Sequence, residues 1–330
     1  MKFDVITIGT ATRDAFIKSE HFHVDPDHHV LGGKGLVMAL GAKIEVPDIF
    51  FSTGGGATNA AVTLSRQQKK TACIAVIGND DSGHSVLNDL KKEGVYTGLM
   101  QQEKEGTAFS LLLEPPSGER TVLVHRGVSE HLKSSGIQWQ KIDTKWFYIS
   151  SLAGNIALLK RIIAFSREKG IHIAYNPGGK ELKQRAVLVP LLKYIKVLIV
   201  NREEASVITG VAFEKQKEMF ALWDKMSPGI NVMTDARNGV SVSDGTHVYH
   251  AGIYKEKKMV DRTGAGDAFG SGFVASIMDY PHDIERAIRL GSANATAKVE
   301  GMGAKYGLLT GSEFEKSSRF RRLEINKTPL

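Results

Sequence analysis

Apolar runs and amphipathic stretches alternate along most of this chain, and that alternation limits the fold more than any other feature. Runs at 3–9, 71–77, 146–150, 171–175, 197–200 and 230–234 read as strands buried on both faces. Helical stretches fall at 57–68, 83–93, 156–169, around 181–192, 203–208 and 214–226. Short strands at 240–243 and 247–250 then lead to closing helices at 265–278 and 284–299. This order predicts an α/β fold: a doubly wound, mostly parallel sheet with helices on both faces. Right-handed crossovers place the strand C-termini, and so the ligand, along one edge. Two segments break the pattern. Residues 15–52 are His-rich and Gly-broken, and 107–125 reads as a hairpin around Pro115-Pro116-Ser117-Gly118. Together they predict a small β lid over the active edge. No linker or internal repeat divides the chain, so 1–330 is read as one domain.

With 330 residues, 42% hydrophobic and 24% charged, the chain can bury a large core without staples. The 43 Lys and Arg against 36 Asp and Glu leave a net charge of +7. That balance suits nucleic acid or small phosphorylated anions. The charge is mixed along the chain, however, and the basic cluster at 316–322 reads as a solvated tail helix. No nucleic-acid signature accompanies it, so no nucleic-acid partner is expected. No membrane partner is expected either: there is no signal peptide, and no apolar stretch approaches the roughly 20 residues of a span. The lone Cys73 lies in an apolar run and reads as a buried, inert thiol, which points to a reducing, cytoplasmic setting.

The chemistry concentrates in Asp261-Arg262-Thr263-Gly264-Ala265-Gly266-Asp267-Ala268-Phe269. Small residues before a helix let backbone N–H groups approach a ligand, and the helix N-terminus adds partial positive charge. Such a start suits an anion hole for a phosphoryl group in transfer; the alternative is an ordinary Gly-rich turn with Asp267 stabilising the helix start. Asp267 falls in the first helical turn, where a carboxylate can accept the proton of an attacking hydroxyl.

Residues 261–267 match the D-x-T-G-A-G-D signature, and through it the chain resembles the ribokinase-like (PfkB) family of small-molecule kinases. Other segments fall in that family's order. Gly54-Gly55-Gly56-Ala57-Thr58-Asn59 resembles its G-G-x-x-x-N substrate motif, and Gly78-Asn79-Asp80-Asp81-Ser82-Gly83 its G-x-D-x-x-G turn. Asn176-Pro177 resembles its N-P segment, Asn201-Arg202-Glu203-Glu204 its N-x-x-E, and 234–239 its nucleotide loop T-x-G-x-x-G. Gly303-Ala304 fits a late G-A, so the likeness spans roughly residues 3 to 310.

The resemblance implies ATP-dependent transfer of the γ-phosphoryl to a hydroxymethyl group of a small sugar. Asp267 would be the general base, with the N–H groups of Gly264, Ala265 and Gly266 as the anion hole. Asp14, Gly54, Gly55 and Asn59 match positions that hold substrate. Thr234 and Gly239 would line the nucleotide site, with Ser292 and Asn294 as candidates near the adenine. Asn201 and Glu204 share one face of a first helical turn, where an amide and a carboxylate can hold the water shell of Mg²⁺. Without the motif set they read as an N-cap and a helix-favouring Glu. Relatives carry a monovalent cation near the position of Asp261, which makes K⁺ a candidate there, although Gly307 stands where some offer a hydroxyl. A homodimer through the lid is the expected assembly.

The chain also departs from the family pattern. Ala236 stands where the nucleotide loop usually has Gly, Lys180 where many members have Arg, and the 14–54 stretch is long. Gly32-Gly33-Lys34-Gly35 looks like a substrate motif but lacks the following Asn and buried helix. The cluster His21, His23, Asp25, Asp27, His28 and His29 has no metal-binding helix pattern. No G-x-G-x-x-G follows the first strand, which argues against a dinucleotide-binding dehydrogenase. Two alternatives stay open: a nucleoside kinase, with Phe16, Phe22, Phe50 or Phe51 stacking on a base, and a non-catalytic sugar or nucleotide sensor.

Overall fold

A computed structural model describes residues 1–27, 29, 33–117 and 120–330. Its strands are β1 (Phe3–Ile8), β2 (Thr12–Lys18), β3 (His23–Pro26), β4 (Lys34–Val37), β5 (Ile49–Gly54), β6 (Thr71–Ile74), β7 (Val76–Gly78), β8 (Gln101–Glu103), β9 (Ala108–Glu114), β10 (Thr121–His125), β11 (Thr144–Ile149), β12 (His172–Tyr175), β13 (Val197–Asn201), β14 (Ile230–Thr234), β15 (Val240–Ser243), β16 (His247–Ala251) and β17 (Ile325–Pro329). The helices are α1 (Gly56–Arg66), α2 (Asp81–Lys92), α3 (Ile156–Lys169), α4 (Gly179–Leu182), α5 (Arg185–Leu188), α6 (Arg202–Thr209), α7 (Gln216–Met226), α8 (Ala265–Asp279), α9 (Ile284–Lys298) and α10 (Gly311–Lys316).

Among the described residues, nine strands form the main sheet, in the order β17-β16-β15-β14-β13-β12-β11-β1-β6. Pairing is parallel from β6 to β14 and antiparallel from β14 to β17. Side chains alternate across it as strand geometry requires. Trp146 and Tyr148 of β11 join one apolar cluster with Phe273 and Val274 of α8. Phe147 and Ile149 join the other, with Leu159 and Ile162 of α3 and Trp223 of α7. The sheet is therefore covered on both faces.

The segments that broke the alternation meet in a second sheet, ordered β10-β9-β2-β5. Asp14 of β2 lies opposite Ser52 of β5 and Ser110 of β9. β3 and β4 form a separate ribbon. Gly118 of the hairpin turn, Gly32 of the Gly-Gly-Lys-Gly segment and His28 of the histidine cluster lie outside the described residues. Among the described residues, no three His, Cys, Asp or Glu side chains cluster as metal ligands. None of the helices described is long and apolar enough to cross a membrane.

Local details differ from the sequence reading. The run at 71–77 divides into β6 and β7. The helix expected around 181–192 is broken into α4, α5 and a tight 3₁₀ turn over Val189–Tyr194 with Pro190 as its second residue. Proline lacks the N–H that a continuing helix would need. The tail helix expected at 316–322 is also corrected, because α10 ends at Lys316. The chain then returns to add β17 to the main sheet beside β16, an element not foreseen.

Candidate active site

Gly264 opens α8 with φ +78, and a Cβ there would come within 2.8 Å of the Ala304 Cβ. Only glycine makes that turn without strain. A Cβ at Gly266 would meet nothing within 4 Å, so the helix start faces open space at that residue. Of the three anion-hole donors expected, the Ala265 N–H closes a turn onto the Arg262 carbonyl at 3.1 Å.

Asp267 follows in the first turn of α8. Its Oδ2 accepts a 2.8 Å hydrogen bond from Asn59 Nδ2 of α1. Burial pushes its carboxyl above the usual carboxylate range, against the lowering effect of Asn59. Gly56 lets the start of α1 pass close to β11: a Cβ there would lie only 2.7 Å from the Ser150 Cβ, with Asp267 Oδ1 in ordinary contact at 3.5 Å. The Asn59 Oδ1 and the Tyr148 hydroxyl are buried without a hydrogen-bond partner. Burial, together with the Asp267 charge, raises the Tyr148 hydroxyl far above its ordinary pKa.

Asp14 is 5% exposed and accepts a hydrogen bond from Thr12 Oγ1 at 3.2 Å. Desolvation raises its pKa, while Ser110, Thr12 and the Lys305 charge pull the other way. Gly54 must lack a side chain, since a Cβ there would collide with Asp14 Oδ2 and reach 2.8 Å from Thr12 Oγ1. Gly55, with φ +97, passes over Ala11. The structure thus brings Asp14 against Gly54, next to Gly55 at the start of α1, and Asn59 of the same helix against Asp267.

A cleft of about 290 Å³ adjoins the start of α8. Thr234, Gly239, Ser292, Ala265 and Gly266 are among its lining residues. Ala236 also lines it, at φ +45 in the left-handed region. Arg202 Nη1 holds the loop through Asp235 Oδ2 at 2.9 Å. Asn294 does not reach the cleft. It is fully buried, donating to the Ala268 carbonyl (2.8 Å) and to Thr63 Oγ1 (3.2 Å) while accepting from the Leu309 N–H (2.8 Å). These bonds tie α8, α1 and the segment after α9 together, so its polarity is spent on packing.

Asn201 and Glu204 form a reciprocal capping box at the start of α6. Asn201 Oδ1 accepts from the Glu204 N–H and Glu204 Oε2 accepts from the Asn201 N–H, each at 2.9 Å. Burial raises the Glu204 pKa. Lys180 instead pairs with Glu130 at 2.6 Å.

Three cationic side chains went unnoticed in the sequence. Arg120 Nη1, just before β10 of the second sheet, donates to Asp261 Oδ1 (2.6 Å) and to Thr263 Oγ1 (2.8 Å). Lys298 Nζ donates to the Asp261 carbonyl at 2.6 Å. Lys305 is buried, donates to Thr53 Oγ1 and lies 3.6 Å from Asp89 Oδ2. None carried a motif; each reads in sequence as a solvated charge. Asp261 itself is 6% exposed and holds a lowered pKa, with Lys298 and the bonds from Thr263 and Gly303 overcoming desolvation.

A family model described as pfkB family carbohydrate kinase matches residues 4–310. The chain is similar to the ribokinase of Haemophilus influenzae, 28% identical over 272 residues that cover 79% of this chain and 85% of that protein. It is also similar to a cytidine kinase of Thermococcus kodakarensis, 26% identical over 81% of this chain and 93% of the relative. The fold matches Arabidopsis thaliana ribokinase complexed with ribose and ATP, with TM-score 0.77 and 18% identity over 98% of this chain and 100% of that one. The architecture is thus ribokinase-like, and the chain belongs to the pfkB family of carbohydrate kinases.

Proposed function

We propose that this protein moves the γ-phosphoryl group of ATP to a hydroxymethyl group of a small sugar. The observation that carries the reading is the Asp267 carboxylate, half-buried in the first turn of α8 and held by Asn59 at 2.8 Å. A carboxylate whose proton affinity is raised by burial suits a base that must take a proton from an alcohol. In the proposed step the substrate O–H proton passes to Asp267 and a new O–P bond forms to the γ-phosphorus. The bond between the β,γ-bridging oxygen and that phosphorus breaks, and ADP leaves. Gly264, Ala265 and Gly266 set the helix start against the transferred group, where the partial positive charge of α8 offsets the developing negative charge.

Asp14 and Asn59 are assigned to substrate hydroxyls, and the buried Asn59 Oδ1 is left without a protein partner. Thr234, Gly239 and Ser292 are assigned to the nucleotide cleft, and Asn294 is not. Glu204 spends Oε2 on the capping box and can offer Oε1 to a water of Mg²⁺, which would supply charge neutralisation at the phosphates. The second sheet is assigned as the lid. Phe50, Phe51, Val122, Leu123 and Val124 leave apolar surface exposed on it, which fits a homodimer through that sheet. The buried free thiol of Cys73 fits a cytosolic setting.

A panel of sugars and nucleosides with ATP and Mg²⁺, scored by ADP release, tests the reading. A sugar is expected to respond. A nucleoside responding instead would favour the second reading, which the likeness to a cytidine kinase supports. No turnover across the panel would leave a binding protein.

A further inference from the structure

Lys298, the last residue of α9, is fully buried, and no step above uses it. Its Nζ lies 2.6 Å from the Asp261 carbonyl oxygen and 3.4 Å from Asp261 Oδ2. The same carboxylate accepts from the Gly303 N–H at 3.0 Å, and from the Thr263 N–H at 2.8 Å and its hydroxyl at 2.7 Å. The N–H groups of Val260 and Asp261 both donate to the Val299 carbonyl, at 2.8 and 3.2 Å. The end of α9 is thereby fastened to the segment that turns at Gly264 into α8.

Oxygen atoms of this kind, a backbone carbonyl and a carboxylate, are what a K⁺ ion would need at Asp261. Here they already face an ammonium group. Gly307 brings no side-chain oxygen either, and a Cβ at that position would run into the Ala297 carbonyl. The residues present therefore do not fit a bound K⁺.

We infer that Lys298 is a built-in monovalent cation: its tethered ammonium holds the loop from Asp261 to Gly264, so that the anion hole is set without any added K⁺. Lys298 is a positioning residue, acting through Asp261 on the start of α8. The inference rests on the kinase reading for its catalytic consequence, but its structural part can be judged separately.

The test compares the full-length wild-type protein with Lys298→Ala and Lys298→Met. Buffers of equal ionic strength contain tetramethylammonium, Na⁺, K⁺ or NH₄⁺ as the chief cation. ADP release and the thermal midpoint are both measured. Wild type should show the same rate and the same midpoint in all four. In tetramethylammonium, Lys298→Ala should lose about 10²-fold in kcat, the scale of a displaced catalytic loop. K⁺ or NH₄⁺ should restore the rate saturably and raise the midpoint, because the vacated space is lined by the Asp261 oxygens. Lys298→Met keeps the length of the side chain and leaves no such space, so its loss should not be rescued.

A wild-type rate or midpoint that climbs with K⁺ overturns the inference. So does a Lys298→Met protein with wild-type kcat in tetramethylammonium. If Lys298→Ala does not fold, the wild-type and Lys298→Met measurements still decide. Wild-type protein that releases no ADP with any cation or substrate defeats the kinase reading instead, while the melting curves still judge Lys298.

Discussion

Asn59 donates its carboxamide N–H to Asp267 Oδ2 at 2.8 Å, joining the start of α1 to the start of α8 across 208 positions of sequence. This contact orients the proposed base. It also opposes the burial that raises the Asp267 pKa.

Asp267→Asn retains the shape of the side chain but not the proton acceptor. The expected result is a fall in kcat of about 10²–10⁴-fold, with sugar and ATP binding largely kept. Loss of a transition-state interaction lowers kcat and kcat/KM together, so both are to be measured. Near-native kcat would reduce Asp267 to a helix-start residue.

The raised Asp267 pKa has a pH consequence. The acid limb of kcat/KM should lie above the ordinary carboxylate range, because the base must be ionised. Asn59→Ala removes the one lowering contact, so that limb should move to still higher pH, alongside any loss of rate. Stability has the opposite sign. A carboxyl with raised folded-state pKa adds stability below its unfolded pKa, and that contribution is lost as pH rises through the folded value. Asp267→Asn should therefore melt no lower than wild type at neutral pH. A clearly lower melting point would contradict the burial argument.

Ala236 holds φ +45 in the proposed nucleotide loop. A side chain in that region costs about 1–2 kcal/mol, partly offset by the greater unfolded freedom of glycine. Ala236→Gly should therefore raise the melting temperature slightly and leave KM for ATP equal or lower. A large rise in KM would mean that the methyl group is part of the nucleotide contact.

Arg120 joins the second sheet to Asp261 and Thr263 through one nitrogen. Arg120→Ala should lower kcat/KM by about tenfold, the value of a partly exposed charge-assisted hydrogen bond. The melting temperature should change little, since the Arg120 side chain is 35% exposed. Unchanged kcat/KM would show that the sheet closes without this link.

Cys73 is wholly buried in β6, and desolvation pushes its thiol up to about 11. The native protein should be inert to thiol reagents at mildly alkaline pH, and denaturant should expose one reactive thiol. Rapid labelling of the native form would contradict this burial.

The parallel sheet could be read in advance because strands such as 197–200 are apolar on both faces and are followed by helices of opposite periodicity. The glycines at 54–56 and 264 could be read because backbone conformation and close approach leave few substitutes. Polar strand β17 could not: its run Ile-Asn-Lys-Thr-Pro has no apolar pattern, and its place is set by pairing with β16. Asn294 misled because a polar residue on a helix looks the same whether it meets a ligand or a neighbouring backbone. Lys298 was hidden for a similar reason. A lysine in the last turn of a helix reads as solvent-facing, and only the fold reveals Asp261 beside it.

Asp14, Asn59, Arg120, Asp267 and Lys298 come from widely separated parts of the chain. A folding intermediate that has formed only local helices and hairpins holds none of these contacts. Closing such long loops costs entropy before any contact repays it, which slows folds of this kind. Recovery of phosphoryl transfer after dilution from denaturant should therefore trail the return of helical signal, making turnover the strictest gauge of completed folding.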